Sequence, residues 1–190
     1  RALQEMVNGS LITQGWRSPE VHAALDLCLS CKGCARDCPT GIDMAAYKAR
    51  VTHERYKGRL RPRNHYALGW LPRWGRLITT VPGLGSLVNV VGKAPGLGRL
   101  LRWGAGVDAR RDIPRFANRS ARSRMPAVPA GSKGRVLIWV DSFSDCFESN
   151  SFAAMVQVLV RLGYEPEVLK ENACCGLTWI STGQLDGAHR

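Results

Sequence analysis

Four cysteines within one tight run constrain this chain more than any other feature. Cys28-Leu29-Ser30-Cys31-Lys32-Gly33-Cys34-Ala35-Arg36-Asp37-Cys38-Pro39 reads C-x2-C-x2-C-x3-C-P. In this spacing three thiolates wrap one face of a [4Fe–4S] cluster and the fourth ligates elsewhere. The short gaps let the backbone loop so that Cys28, Cys31 and Cys34 converge, and Pro39 turns the chain away after Cys38. Gly33 is expected to supply the unusual dihedrals of the loop. A chance cluster of structural cysteines and a zinc knuckle are the competing readings. Zinc sites, however, favour two well-separated ligand pairs. Thiolate-bound iron carries single electrons at a potential set by sulfur hydrogen bonds and exposure, so the run implies electron transfer without naming a reaction.

In two-cluster ferredoxins the fourth cysteine of each run serves the other cluster. No second run is present here, the chain starts at Arg1, and the residues before Arg190 read as the start of a helix. The expectation is an internal segment of a longer polypeptide. Seven cysteines in metal-ligand patterns fit a reducing, cytoplasmic compartment rather than a secreted disulfide framework. A hydrophobic content of 45% fits a globular chain.

The formal net charge is +12, and between Lys48 and Arg124 the acids are Glu54, Asp108 and Asp112 alone. Such a stripe suits docking on the rest of the parent polypeptide or on an anionic membrane surface, peripherally at its inner face. Nucleic acid is not expected as a partner, because no groove-reading or base-stacking motif accompanies the charge. The most apolar stretch, Leu77 to Leu101, is interrupted by Pro82, Lys93, Pro95 and several glycines, so it does not qualify as a membrane-spanning helix.

Along the chain, residues 1–6 read as a helix tail. Ser18-Pro19-Glu20 is a strong helix start, and Val21, Ala24, Leu25 and Leu27 give the helix an apolar face leading to Cys28. After a turn at Thr40-Gly41, Asp43 caps a helix to about Lys57, closed by Gly58. Two helices flanking the cysteine loop suggest a helical ferredoxin-like module. Short helices are expected at residues 70–79 and 97–103. Trp70, Trp74 and Trp103 are read as core or docking surface rather than stacking platforms. Met125 to Ser132 reads as a linker. Arg135 to Val140 then reads as a strand buried on both faces, Phe152 to Leu162 as a helix closed by Gly163, and Glu165 to Leu169 as a parallel strand, together a βαβ unit.

That second strand leads into Cys174-Cys175-Gly176. Adjacent cysteines are poorly placed to bridge each other, so the pair is either a metal-facing dithiolate or an inert pair. Cys174-Cys175-Gly176 resembles the signature of the cysteine-rich CCG domain of heterodisulfide reductase and of the iron–sulfur parts of glycolate-oxidase, lactate-utilisation and anaerobic glycerol-3-phosphate dehydrogenase systems. Residues 24–34 with Asp43-Met44 resemble the second ferredoxin run of large fused FAD and Fe–S oxidoreductases acting on D-2-hydroxy acids. Val140-Asp141-Ser142-Phe143, Phe147-Glu148, Gly163-Tyr164 and Asp112 to Ala117 are similar to their CCG start and linker. The full CCG motif has a further cysteine upstream; aligned through Phe147-Glu148 that position is Ser142, with 31 residues between it and Cys174. Serine is a poor iron ligand beside a thiolate. Cys146 lies four positions too late and is read as a side chain at the strand end.

The resemblance implies an α+β chain: a half ferredoxin-like module over residues 1–57, a basic helical linker region over 58–131, and a truncated α/β CCG domain with parallel strands over 132–190. It implies a [4Fe–4S] cluster on Cys28, Cys31, Cys34 and Cys38, metal ligation by Cys174 and Cys175, and FAD in the missing part of the parent protein. Its partners would be the flavin domain, the first ferredoxin run, the second CCG repeat and a quinone or other redox acceptor. The function implied is electron transfer within a dehydrogenase of D-lactate, glycolate or D-2-hydroxyglutarate. Two alternatives are a separate Fe–S subunit of a quinone-linked or heterodisulfide-reductase-like complex, and a metal-stabilised interaction module without a redox role.

Overall fold

The fold was analysed in a computed structural model that describes residues 1–147, 149–169, 171 and 174–189. Glu148 of the Phe147-Glu148 pair lies outside the described residues. The elements run α1 (Ala2–Asn8), α2 (Pro19–Asp26), α3 (Gly33–Asp37), α4 (Met44–Tyr56), α5 (Arg63–Gly69), α6 (Leu71–Thr80), α7 (Leu84–Lys93), α8 (Pro95–Ala105), β1 (Arg135–Ile138), α9 (Ser142–Cys146), α10 (Ser149–Arg161), β2 (Glu165–Val168), α11 (Leu177–Ser181) and α12 (Leu185–Ala188). The fold is mixed and mostly helical, with one small parallel sheet. It divides into two compact units: Arg1–Gly69 with Gly176–Arg190, and Trp70–Cys175.

The first unit is built on capped helices. Ser18 Oγ accepts the Val21 amide at 3.3 Å and Pro19 opens α2, so an otherwise orphaned helix donor is satisfied. Asp43 Oδ1 accepts the Ala46 amide at 2.9 Å and starts α4. Gly58, at φ 68°, takes the left-handed turn after that helix. Met6, Val21, Leu25 and Val51 form the core, with Leu3, Ile12 and Met44 packed against it. Ala24 and Leu27 do not join this face. Both are exposed, and Leu27 falls past the last turn of α2, which stops at Asp26. The C-terminal helices α11 and α12 pack on α4, and α11 also on α5. Arg61 fixes the turn between them by donating to the carbonyls of Thr182 at 2.8 Å and Gly183 at 2.9 Å.

In the second unit β1 and β2 pair in parallel, Arg135 opposite Glu165 through Ile138 opposite Val168. Between them run α9 and then α10, the latter closed by Gly163 at φ 85°. Ala121, Ile138, Val140, Phe152 and Val156 form the core. Burying Phe152 and Val156 contributes about 1.5–3 kcal/mol each relative to exposure. The expectation of a strand buried on both faces fails. Successive strand side chains point to opposite faces, and Ile138 is buried while Leu137 is 63% exposed. The residues read as a linker are also held in place. Met125 and Val128 pack on the core, and the Lys133 amide donates to Gly163 O at 3.0 Å.

Residues 77–101 are split among α6, α7 and α8. Among the described residues no helix is long and apolar enough to cross a membrane. Trp74 and Trp103 are exposed, so neither is core.

Candidate metal centre

The cysteine loop hangs between two well-anchored helices. Helix α2 ends just before Cys28, whose amide donates to Leu25 O at 3.0 Å. The strain of the loop falls on Ser30 and Lys32, with φ of 56° and 60°. Each costs roughly 1–2 kcal/mol relative to a right-handed conformation. Gly33, expected to absorb that conformation, instead opens α3 with no positive φ. Lys32, one step earlier, takes the left-handed conformation as the N-cap of α3.

Second-rank contacts hold the loop. Lys48 on α4 donates to Cys28 O at 2.8 Å. Lys32 Nζ lies 3.2 Å from the Asp43 carboxylate that caps α4. The Met44 amide, also at the start of α4, donates to Cys34 Sγ at 3.3 Å. An N–H aimed at a thiolate sulfur is the contact that tunes a bound iron–sulfur group. Cys38, at the C-cap of α3, sits 3.0 Å from Thr40 Oγ1. The Thr40 hydroxyl, helped by the backbone amides of Ile42 and Thr40, lowers the Cys38 thiol to about 7. Hydrogen bonds to the charged form favour it. The motif spacing did not point to Lys48 and Thr40. Helical periodicity does place Lys48 one turn beyond Met44, on the α4 segment beside the loop.

All seven cysteines are unbridged thiols. Among the described residues no three His, Cys, Asp or Glu side chains converge closely enough to hold a metal ion. Ligand geometry in such sites is completed in part by the metal itself. The donor set fits an iron–sulfur group: four soft thiols on one short loop, one already accepting a backbone N–H.

In the metal-free chain Cys38 is expected to be the most reactive of the four thiols, with an alkylation profile centred near pH 7. Thr40→Val should move that midpoint toward the usual thiol value of about 8.5, read by peptide mapping after iodoacetamide at several pH values. Alkylation of Cys38 no faster than that of Cys31 at neutral pH would refute the Thr40 effect.

At the other end of the sequence, Cys174 and Cys175 are exposed just beyond β2. Ser142, the first residue of α9, donates its hydroxyl to Cys174 Sγ at 3.6 Å. Its backbone is held by Asp141, whose carboxylate accepts the Phe143 and Ser144 amides. Ser142, the position that the resemblance aligned with an upstream cysteine, therefore lies beside Cys174. Ala173, which precedes the pair, lies outside the described residues.

Cys146 is elsewhere. It is 1% exposed at the end of α9, against Gly75 of α6, where an added Cβ would lie 2.9 Å from its sulfur. Burial and the neighbouring Asp145 charge push its thiol up to about 11, as expected of a packing residue rather than a ligand.

The chain is similar to curated proteins named D-2-hydroxyglutarate dehydrogenase. It is 25% identical to that of Pantoea ananatis over 169 residues, 80% of this chain and 16% of the relative. It is 29% identical to that of Pseudomonas putida over 159 residues, 77% of this chain and 15% of the relative. With the Escherichia coli protein it shares 26% over 169 residues, 80% and 16% of the two chains. The chain thus spans about a sixth of the length of these relatives. No protein-family model and no solved structure matches it.

Proposed function

We propose that these residues form the iron–sulfur electron-transfer segment of a flavin-linked 2-hydroxy-acid dehydrogenase, an oxidoreductase whose substrate class includes D-2-hydroxyglutarate. The observation that carries this reading is the C-x2-C-x2-C-x3-C-P loop, strung between α2 and α4 with the Met44 amide on the Cys34 sulfur. The names of the similar dehydrogenases support the reaction class.

Cys28, Cys31 and Cys34 would hold the cluster, and Cys38 would reach a neighbouring one whose other ligands lie in the parent polypeptide. When bound, a [4Fe–4S] group supplies one-electron transfer, and FAD elsewhere in the parent supplies the two-electron step with substrate. The chain's own residues prepare the site. Lys48 and Lys32 tether the loop to α4, and the Met44 N–H meets charge on Cys34. Thr40 favours the ionised form of Cys38, the form that ligates iron. Cys174 and Cys175, with Ser142 beside them, form a second thiol site with one oxygen donor in place of a third sulfur.

The full-length protein, reconstituted anaerobically with iron and sulfide, is expected to contain acid-labile sulfide and to show a dithionite-reducible paramagnetic signal. Tight zinc with no iron after anaerobic purification and reconstitution would sink the redox reading.

A further inference from the structure

Helices α6, α7 and α8 are turned inside out. In α6 the buried positions are Pro72, Gly75 and Thr79, while Trp74 and Leu77 are exposed. In α7 Gly85 is buried, while Leu87 and Val90 are exposed. In α8 Gly98 is buried, while Leu97, Leu100 and Leu101 are exposed. At 100° per residue Trp74 and Leu77, Leu87 and Val90, and Leu97 and Leu100 lie on the sides of their helices away from the buried small residues, while Leu101 lies near the Gly98 side. A helix that only closed a core would do the reverse, since burying a leucine contributes about 1.5–3 kcal/mol and burying a glycine almost nothing. Leu87 and Val90, three apart on α7, are 57% and 67% exposed, and Leu97 and Leu100, three apart on α8, are 56% and 61% exposed, so these side chains recur along each helix rather than standing singly.

The charge around these faces is of one sign. From Leu60 to Val107 the sequence contains no Asp or Glu, and its cations include Arg73, Lys93 and Arg99, all exposed. A positive patch pairs with a negative one on whatever it docks against. Three short helices presenting leucine and valine, flanked by arginine and lysine with no carboxylate, suit a surface that is uniformly anionic over an apolar interior.

We infer that the α6–α8 face of this chain docks on the surface of an anionic lipid bilayer. Its leucines enter the headgroup boundary and its arginines and lysine pair with lipid phosphate. The docking is peripheral, since none of these helices is long enough to span. For an electron-transfer segment it would hold the protein beside membrane-borne acceptors. It does not depend on metal loading, so its failure would leave the electron-transfer reading standing.

The test is flotation of the full-length protein with vesicles of phosphatidylcholine alone and of phosphatidylcholine with phosphatidylglycerol. Flotation is expected with the anionic vesicles, weakened by added salt, and little with the neutral ones. Leu97→Glu combined with Leu100→Glu should weaken binding by about tenfold or more, because two apolar side chains would no longer enter the boundary. Lys93→Glu with Arg99→Glu removes two cations and should weaken it by at least about tenfold. All four side chains are exposed, so helix content by circular dichroism should not change; if one pair does perturb it, the other decides. Absent flotation, equal binding to neutral vesicles, or binding undiminished in the folded variants would overturn the inference. Protection of these leucines by another polypeptide with no lipid binding would assign the face to a protein partner.

Discussion

Cys31→Ser in the full-length protein should leave less than about a tenth of the dithionite-reducible signal, because serine offers iron a hard oxygen in place of a soft thiolate. Cys31 is exposed in the loop between Ser30 and Lys32, two residues already held in left-handed conformations. The loop therefore has little freedom to bring another donor to that place. Cys146→Ala is the matched control. That thiol is buried against Gly75 and held neutral, so its removal should cost stability and leave the iron signal intact. Iron and sulfide analysis beside electron paramagnetic resonance separates the two. An unchanged spectrum in the Cys31 variant would remove Cys31 from the ligand set.

The largest purely structural effect is expected at Asp145. Its carboxylate is almost fully enclosed, 2% exposed, and accepts Arg122 Nη2 at 2.8 Å and Nε at 3.1 Å. It also accepts the Arg122 amide at 3.1 Å, which pins the chain entering the residue 125–132 stretch to the end of α9. Asp145→Ala leaves a half-buried guanidinium without its counter-charge, and breaking such a pair costs about 3–5 kcal/mol. For a chain of this size that corresponds to a fall in Tm of roughly 6–20 °C. Arg122→Met with Asp145→Leu should recover much of the loss, since it removes both charges while keeping volume. Calorimetry on the three proteins measures this. A loss under about 1 kcal/mol in Asp145→Ala would mean that the pair is no more than a surface contact.

Much of the local structure was legible because its causes are local. Ser18 and Asp43 cap their helices with their own side chains, and Gly58 and Gly163 stop theirs by tolerating positive φ. The alternation of apolar runs and helix around Gly163 gave the parallel pair of strands, and the pairing of β1 with β2 agrees. The cysteine spacing marked the candidate site, and Ser142, singled out by the resemblance to the CCG pattern, lies beside Cys174. The tethers of the loop were not legible. That Lys48 reaches Cys28 O, twenty positions away, depends on how the loop folds back on α4.

What the sequence by itself determined was therefore the place of the cysteine loop, the helix ends and the order of the elements. Each follows from residue type and near spacing, the range over which side-chain caps and backbone sterics act. What only the tertiary structure decided was which face each element buries. Leu137 reads as core and faces solvent because the strand alternates sides. Met125 and Val128 read as linker and are packed. Leu87, Leu97 and Leu100 face solvent, while glycines on the same helices, Gly85 and Gly98, are buried. Burial depends on which surfaces arrive from distant parts of the chain, and hydrophobicity carries no direction until those surfaces meet.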